Sequence, residues 1–355
     1  MTIYPKLILD ALSTVRYPGN GKDLISAGMV ADNIRIDGNK VTLSLIFERP
    51  NDPFIRSMIK AAETAILTYI GENIEIKGNI TPEFKQQTKP DNDHVLPEVK
   101  NIIAVASGKG GVGKSTVSTN LAVALARSGY KVGLLDADIF GPSIPKMFSE
   151  EETRPLAEKI DGKDMIQPIE KYGVKLLSIG FFINKGSATV WRGGMASNAI
   201  KQLITEAAWG KLDYLILDLP PGTSDIHLTI VQLIPITGAI IVTTPQEVAL
   251  ADARKGIDMF TNPKINVPII GIIENMSWFT PAELPENRYY IFGKGGGEQL
   301  SKTAGVPLLG EIPIIQNIRE GGDNGEPVAL HPESPTGAAF NKLSKAVIKE
   351  IEKLH

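Results

Sequence analysis

Ile102-Ile103-Ala104-Val105-Ala106-Ser107-Gly108-Lys109-Gly110-Gly111-Val112-Gly113-Lys114-Ser115-Thr116 is the stretch whose reading decides the fold. An apolar, β-prone run leads into a glycine loop. Apolar residues at helical spacing follow, from Val117 to Arg127. Strand, glycine loop and helix in that order are the context of a phosphate-binding loop. Glycines let the backbone curl so that successive N–H groups face one anion. The helix start adds unpaired N–H groups and the positive end of its dipole. Residues Gly108, Lys109, Gly110, Gly111, Val112, Gly113, Lys114, Ser115 and Thr116 are therefore expected to bind a nucleotide. Lys114 would reach its terminal phosphates, and the Ser115 hydroxyl would ligate Mg²⁺.

A magnesium ion needs carboxylates, and two apolar runs end in them. Leu134-Leu135-Asp136-Ala137-Asp138 precedes Gly141-Pro142-Ser143, and Tyr214-Leu215-Ile216-Leu217-Asp218 precedes Leu219-Pro220-Pro221-Gly222-Thr223. Ligands of open α/β sheets collect at the carboxyl ends of strands. Asp218 is expected to hold the metal, Asp136 to support its shell, and Asp138 to orient an attacking water. The plainer reading is that each aspartate caps a turn.

Outward from the loop, apolar strands alternate with helices. Strands are expected at Lys131 to Asp136, Val174 to Ile179, Tyr214 to Asp218, Ala239 to Thr243, Ile269 to Ile273 and Leu308 to Ile312. Helices are expected at Ala196 to Trp209, Glu247 to Phe260 and Thr336 to Leu354. Continuous apolar strands between helices mean an α/β fold, a mostly parallel sheet with helices on both faces. The basic, amphipathic terminal helix is expected to pack on that sheet.

Residues 1–84 read as a small α+β domain. Lys6 to Val15 has helical character, and two strands flank Asp37-Gly38-Asn39. Phe54 to Ile70 places Met58, Ile59, Ala62, Ile66 and Tyr69 on one helical face. Ile74 to Ile80 is expected to close the domain as a strand. Residues 85–98 are polar and proline-bearing, a linker, and 99–355 form the nucleotide-binding domain.

The chain has 355 residues, a net charge of −3, 43% hydrophobic residues and no cysteine. That balance gives no overall pull toward nucleic acid or anionic lipid. With no secretory start and no apolar run of membrane-spanning length, a cytoplasmic protein without a membrane span is expected. The missing cysteines exclude disulfides and thiolate ligands from this chain.

Lys109 sharpens the class. Lys109-Gly110-Gly111-Val112-Gly113-Lys114-Ser115 resembles the deviant-Walker ATPases. The resemblance implies an ATP-hydrolysing homodimer in which Lys109 reaches the nucleotide of the facing subunit. Further stretches resemble the Mrp/ApbC-type iron–sulfur cluster carriers: Asp136 to Pro145, Asp218 to Asp225, Glu274-Asn275-Met276-Ser277, Ile291 to Gly297 and Ile318 to Asp323. The N-terminal domain is similar to one found in iron–sulfur assembly factors. By this resemblance Lys109, Lys114 and Asp138 are catalytic, Asn275 reads adenine, and Gly222 and Thr223 sense the γ-phosphate. ATP, Mg²⁺ and an iron–sulfur cluster are the implied cofactors, and apo iron–sulfur clients or assembly proteins the implied partners. Buried backbone capping is the other reading of Asn275.

The sequence departs from the carriers at their cluster ligands. Where most have a Cys-x-x-Cys pair, it reads Ser277-Trp278-Phe279-Thr280-Pro281-Ala282-Glu283-Leu284-Pro285-Glu286-Asn287. Clusters are held chiefly by thiolates. The histidines, His94, His227, His331 and His355, read as solvated or core residues. Trp191-Arg192-Gly193-Gly194-Met195 reads as a surface loop, or as a partner contact through Arg192. Two other functions use the same engine: a positioning ATPase on membrane or DNA, and a scaffold that binds nucleotide without turnover.

Overall fold

Helical spacing and one glycine turn build the N-terminal unit. In the computed structural model, which describes residues 4–18, 21–31, 33–47, 52–84, 95–139, 141–160, 162–182, 193–281, 283–284 and 286–354, α1 (Pro5–Leu12) opens the chain with proline in its first turn. β1 (Arg35–Asp37) and β2 (Lys40–Phe47) form a hairpin across Gly38-Asn39, with Asp37 opposite Lys40. Gly38 has φ +58°, the left-handed geometry such a two-residue turn requires. α2 (Ile55–Ile70) buries Met58, Ala62 and Ile66. These pack with Ile8 and Leu12 of α1 and Leu43 and Leu45 of β2 in one cluster.

Two expectations for this unit are corrected. Tyr69 stands 53% exposed, off the buried face. Residues 74–79 are not a strand, although Ile74 and Ile76 are buried. They make only a bridge between Glu75 and Lys40, then turn at Gly78, φ +77°. The strand is β3 (Ile80–Phe84), parallel to β2. Pro82 lies in it, which an edge strand tolerates because its outward N–H has no ladder partner to lose. Contacts divide the chain into two compact units, Met1–Thr88 and Lys89–His355. Most of the expected linker, residues 85–94, lies outside the described residues.

The second unit is an eight-stranded sheet. β4 (Val99–Ala106), α3 (Lys114–Arg127), β5 (Val132–Asp136) and α4 (Ile144–Met147) come first. β6 (Ala157–Ile160) and β7 (Lys163–Ile166) form a separate antiparallel hairpin that sequence periodicity does not reveal. β8 (Ile169–Lys171), β9 (Val174–Ser178), α5 (Gly193–Thr205), β10 (Leu212–Asp218), α6 (Asp225–Leu233), β11 (Gly238–Thr243) and α7 (Glu247–Thr261) follow. β12 (Ile269–Phe279), α8 (Gly296–Ala304), β13 (Leu308–Ile314), α9 (Gln316–Asn324) and α10 (Pro335–Ile351) complete it. The strand order is β13-β12-β11-β4-β10-β5-β9-β8, parallel throughout except for the β8–β9 pair.

Alternation along β4 shows why the strands read as continuous apolar runs. Ile103 and Val105 enter one core with α3 and α10. Ile102, Ala104 and Ala106 enter the other, with α5, α6 and α7. Leu121 and Leu125 of α3 are fully buried, worth about 2 kcal/mol each, and they anchor the helix that carries Lys114. The terminal helix packs as expected: Phe340, Leu343, Val347 and Ile351 are buried, while Leu354 is 43% exposed and beyond its end.

The helix expected to reach Trp209 stops at Thr205. The next residues leave it to bond Ile166 on β7, through Ile166 N–H to the Glu206 carbonyl and Ala208 N–H to the Ile166 carbonyl. Trp209 is nonetheless buried, its indole N–H donating to the Leu203 carbonyl at 3.1 Å.

Candidate nucleotide site

The carboxyl end of β4 delivers the loop. Gly111 and Gly113 both have φ +82°, and Gly113 is the residue from which α3 starts. Val112 between them is buried and pins the loop to the core. The Asn275 side-chain amide donates to the Val112 carbonyl at 2.8 Å. A Cβ on Gly113 would lie 2.2 Å from that amide nitrogen. On the other flank, a Cβ on Gly108 would lie 2.1 Å from the Asp252 carbonyl carbon in α7. The loop is thus held between α7 and the end of β12, and each contact requires glycine.

Asp218, at the end of β10, is the polar centre of the site and fully buried. Ser115 donates to its Oδ2 at 2.6 Å, and Ser118 donates to its Oδ1 at 2.7 Å. The Lys114 ammonium lies 2.8 Å from Oδ1 and is itself 5% exposed. Its Nζ also lies 3.4 Å from Ser115 Oγ. Ser118 was not anticipated. Its signal is present in the sequence, because it stands one helical turn beyond Lys114 and faces the same way.

Asp136 ends the neighbouring strand and is paired in register with Asp218. Ser178 and the Ile144 N–H donate to its Oδ2, at 2.9 and 3.2 Å. The Asp138 N–H donates to its Oδ1 at 3.1 Å. Burial first, and then the Asp218 charge, push the Asp136 carboxyl up to about 7, against the pull of Lys114. Asp138 is half-buried, and its own carboxylate accepts the Gly141 N–H at 3.3 Å. Lys109 is exposed at the loop's outer side.

The structure therefore brings together Lys114, Ser115, Asp136 and Asp218, with Asp138 two residues from Asp136. Asn275 touches the loop backbone, the capping arrangement. Arg192 lies outside the described residues. The oxygen donors of Ser115 and Asp218 match the hard-ligand preference of Mg²⁺. A cluster fits poorly. There is no cysteine, and among the described residues no group of three His, Asp or Glu is placed to hold a metal.

The segment after Asp218 closes the site. Gly222 N–H donates to the Ser107 carbonyl at 2.8 Å, and Gly222 has φ +79°. Ser224 and His227 form a capping box at the start of α6, with the Ser224 N–H donating to His227 Nδ1 at 3.1 Å. His227 is fully buried, and burial holds its imidazole down at about 4. A folded pKa below the usual 6.5 means that the native state resists protonation. This contribution is complete above pH 6.5 and is lost as pH falls through 4. Urea unfolding should show wild type losing about 2 kcal/mol through His227 between pH 8 and pH 5, and His227→Phe should lack that loss. An identical pH slope in both proteins would contradict the assignment.

Fold and site together define a phosphate-loop nucleotide-binding protein. Its family model, described as NUBPL iron-transfer P-loop NTPase, matches residues 98–348. A second, described as iron–sulfur cluster assembly protein, matches residues 6–77. The iron–sulfur cluster carrier protein of Synechocystis sp. is 42% identical over 346 residues, 97% of each chain. The chain belongs to the iron–sulfur cluster carrier family of P-loop NTPases. Among solved structures, a nucleotide-binding protein of Archaeoglobus fulgidus in complex with ADP is 36% identical, with a TM-score of 0.59, over 71% of this chain and 96% of that one. The septum site-determining protein MinD of Pyrococcus horikoshii, solved with Mg-ADP, is 26% identical, with a TM-score of 0.50, over 72% and 99%.

Proposed function

We propose that this chain is an ATP-hydrolysing homodimeric switch that serves iron–sulfur cluster assembly and transfer in the cytoplasm, while its client or partner supplies the thiolates. The observation that carries the reading is the convergence of Lys114, Ser115 and Ser118 on Asp218 beneath a glycine loop. Ser115 and Asp218 would hold Mg²⁺, and Asp136 would support its shell from behind. The ion would neutralise charge on the phosphates. Lys114 binds the terminal phosphates, and loop N–H groups from Gly108 to Thr116 cradle the rest. Asp138 orients the attacking water, and Lys109 reaches across the dimer to the partner's nucleotide. Asn275 braces the loop with one amide hydrogen and keeps its oxygen and second hydrogen for the adenine edge. Gly222 and Thr223 sense the γ-phosphate.

The family supports the link to clusters, and the absent cysteines limit it. Carboxylates such as Glu283 and Glu286 are hard oxygen donors and suit a cluster poorly. Phosphate release from Mg-ATP tests the switch; binding without release would reduce the chain to a nucleotide-dependent scaffold. Incubation with iron and sulfide under argon is expected to leave no cluster absorbance after desalting, with or without ATP. A stoichiometric cluster that survives desalting would overturn the division of labour with the partner. Cosedimentation with liposomes or DNA in ATP is expected to be absent; its presence would favour a positioning role.

A further inference from the structure

Glu274 is a buried carboxylate with no part in the proposed chemistry. It stands in β12 opposite Thr243 of β11 and Glu311 of β13, one residue before Asn275. Burying a carboxylate is costly unless hydrogen bonds and opposite charge offset it. Here the offset is the head of α8. Glu274 Oε2 accepts the Gly297 N–H, at the helix end whose free N–H groups and dipole favour negative charge. The N-cap residue of α8, Gly295, supplies no side-chain cap, so Glu274 caps the helix from a strand. The fit is close: a Cβ on Gly297 would lie 2.8 Å from the Glu274 Cβ.

The strand turns a corner just beyond. β12 and β13 run in step from Ile273 to Asn275, and their pairing is next met at Phe279, opposite Ile314, after a shift of register. Within the shift Met276 has φ +59°, a left-handed backbone that a bulky side chain avoids. Such a conformation persists only where its surroundings hold it. Glu274 holds it twice. Its carbonyl accepts the Ser277 hydroxyl at 2.9 Å across the corner, and its carboxylate ties the corner to α8. Between these two anchors Asn275 gives one amide hydrogen to the Val112 carbonyl. That bond fixes which way the amide points. Adenine has an amino group where guanine has a carbonyl, so an amide of fixed orientation can serve only one of them.

We propose that Glu274 is a positioning residue for base selection. By fastening the Met276 corner to α8, it keeps the Asn275 amide from reversing, and the site takes adenine and rejects guanine. Released from α8, the amide would turn over and serve either base. The inference rests on the reading of Asn275 as the adenine contact.

The test measures calorimetric affinities of the full chain for Mg-ADP, Mg-GDP and, as a ligand without a base, Mg-tripolyphosphate. Wild type should favour Mg-ADP over Mg-GDP. Glu274→Leu leaves the Gly297 N–H without an acceptor and should lose about tenfold of that preference, while holding tripolyphosphate within about twofold of wild type. Glu274→Gln returns an acceptor of the same shape and should recover most of the preference. Asn275→Ala should lose it as well. The double variant should lose no more than Asn275→Ala alone, because a residue that acts through another is not additive with it. Gly297→Ala presses a methyl group on the carboxylate from the helix side and should reproduce the loss; it decides if Glu274→Leu does not fold. A preference kept in both variants, losses that add in the double variant, or an equal fall in tripolyphosphate affinity overturns this role while the adenine reading stands. Wild type that does not distinguish the two bases, or Asn275→Ala with its preference intact, overturns both.

Discussion

Lys114→Ala is expected to abolish productive Mg-ATP binding, with an affinity loss of about 100-fold or more. The triphosphate would lose its main cation, and nothing else described at the loop replaces it at that depth. The same change should also weaken the empty protein. Lys114 is the ammonium against a fully buried Asp218, and removing one member of a buried pair costs about 3 kcal/mol or more. Asp136 would lose the one charge that holds its carboxyl down. Calorimetric titration measures the first effect. Urea unfolding measures the second and separates lost affinity from lost fold. Wild-type affinity and turnover in a folded Lys114→Ala protein would sink the site assignment.

Lys109→Ala should behave in the opposite way. Its side chain is exposed in the single chain, so its removal should leave the fold intact and retain some nucleotide binding. Turnover should fall about 10³-fold, the scale on which a cation supplied from a facing subunit acts. A mixing experiment gives a sharper result. Lys109→Ala has an intact pocket without the crossing lysine, and Lys114→Ala has the lysine without a pocket. Mixed dimers should recover a fraction of the turnover that both parents lack. No recovery, together with near wild-type turnover of Lys109→Ala alone, would place the lysine outside the chemistry.

Much of this arrangement was legible from local chemistry. The glycines of 108–113 and the apolar strands ending in Asp136 and Asp218 are dictated by backbone geometry and by burial on both sheet faces, and both leave periodic traces. Partners distant in sequence leave none. Ser178 bonds Asp136 from 42 positions away, and Ser118 bonds Asp218 from 100. The strand wrongly expected at Ile74 to Ile80 shows the converse. Apolar alternation marked burial there, but Gly78 turns the backbone and the ladder begins beyond it. Trp209 misled for a similar reason, since its helical spacing reflected burial while the Glu206–Ala208 backbone was committed to β7.

The close fit of Gly108 against the Asp252 backbone has a thermodynamic consequence. With no clearance for even a methyl group on that side, the loop has little conformational freedom to surrender when a ligand arrives. Ordering entropy should therefore be a small component of nucleotide association, because the receptor is preorganised. Heat-capacity changes measured on binding should instead report the movement of apolar surface elsewhere in the protein. A diphosphate and a triphosphate would then differ less in how they settle on the loop than in how much surface each removes from water.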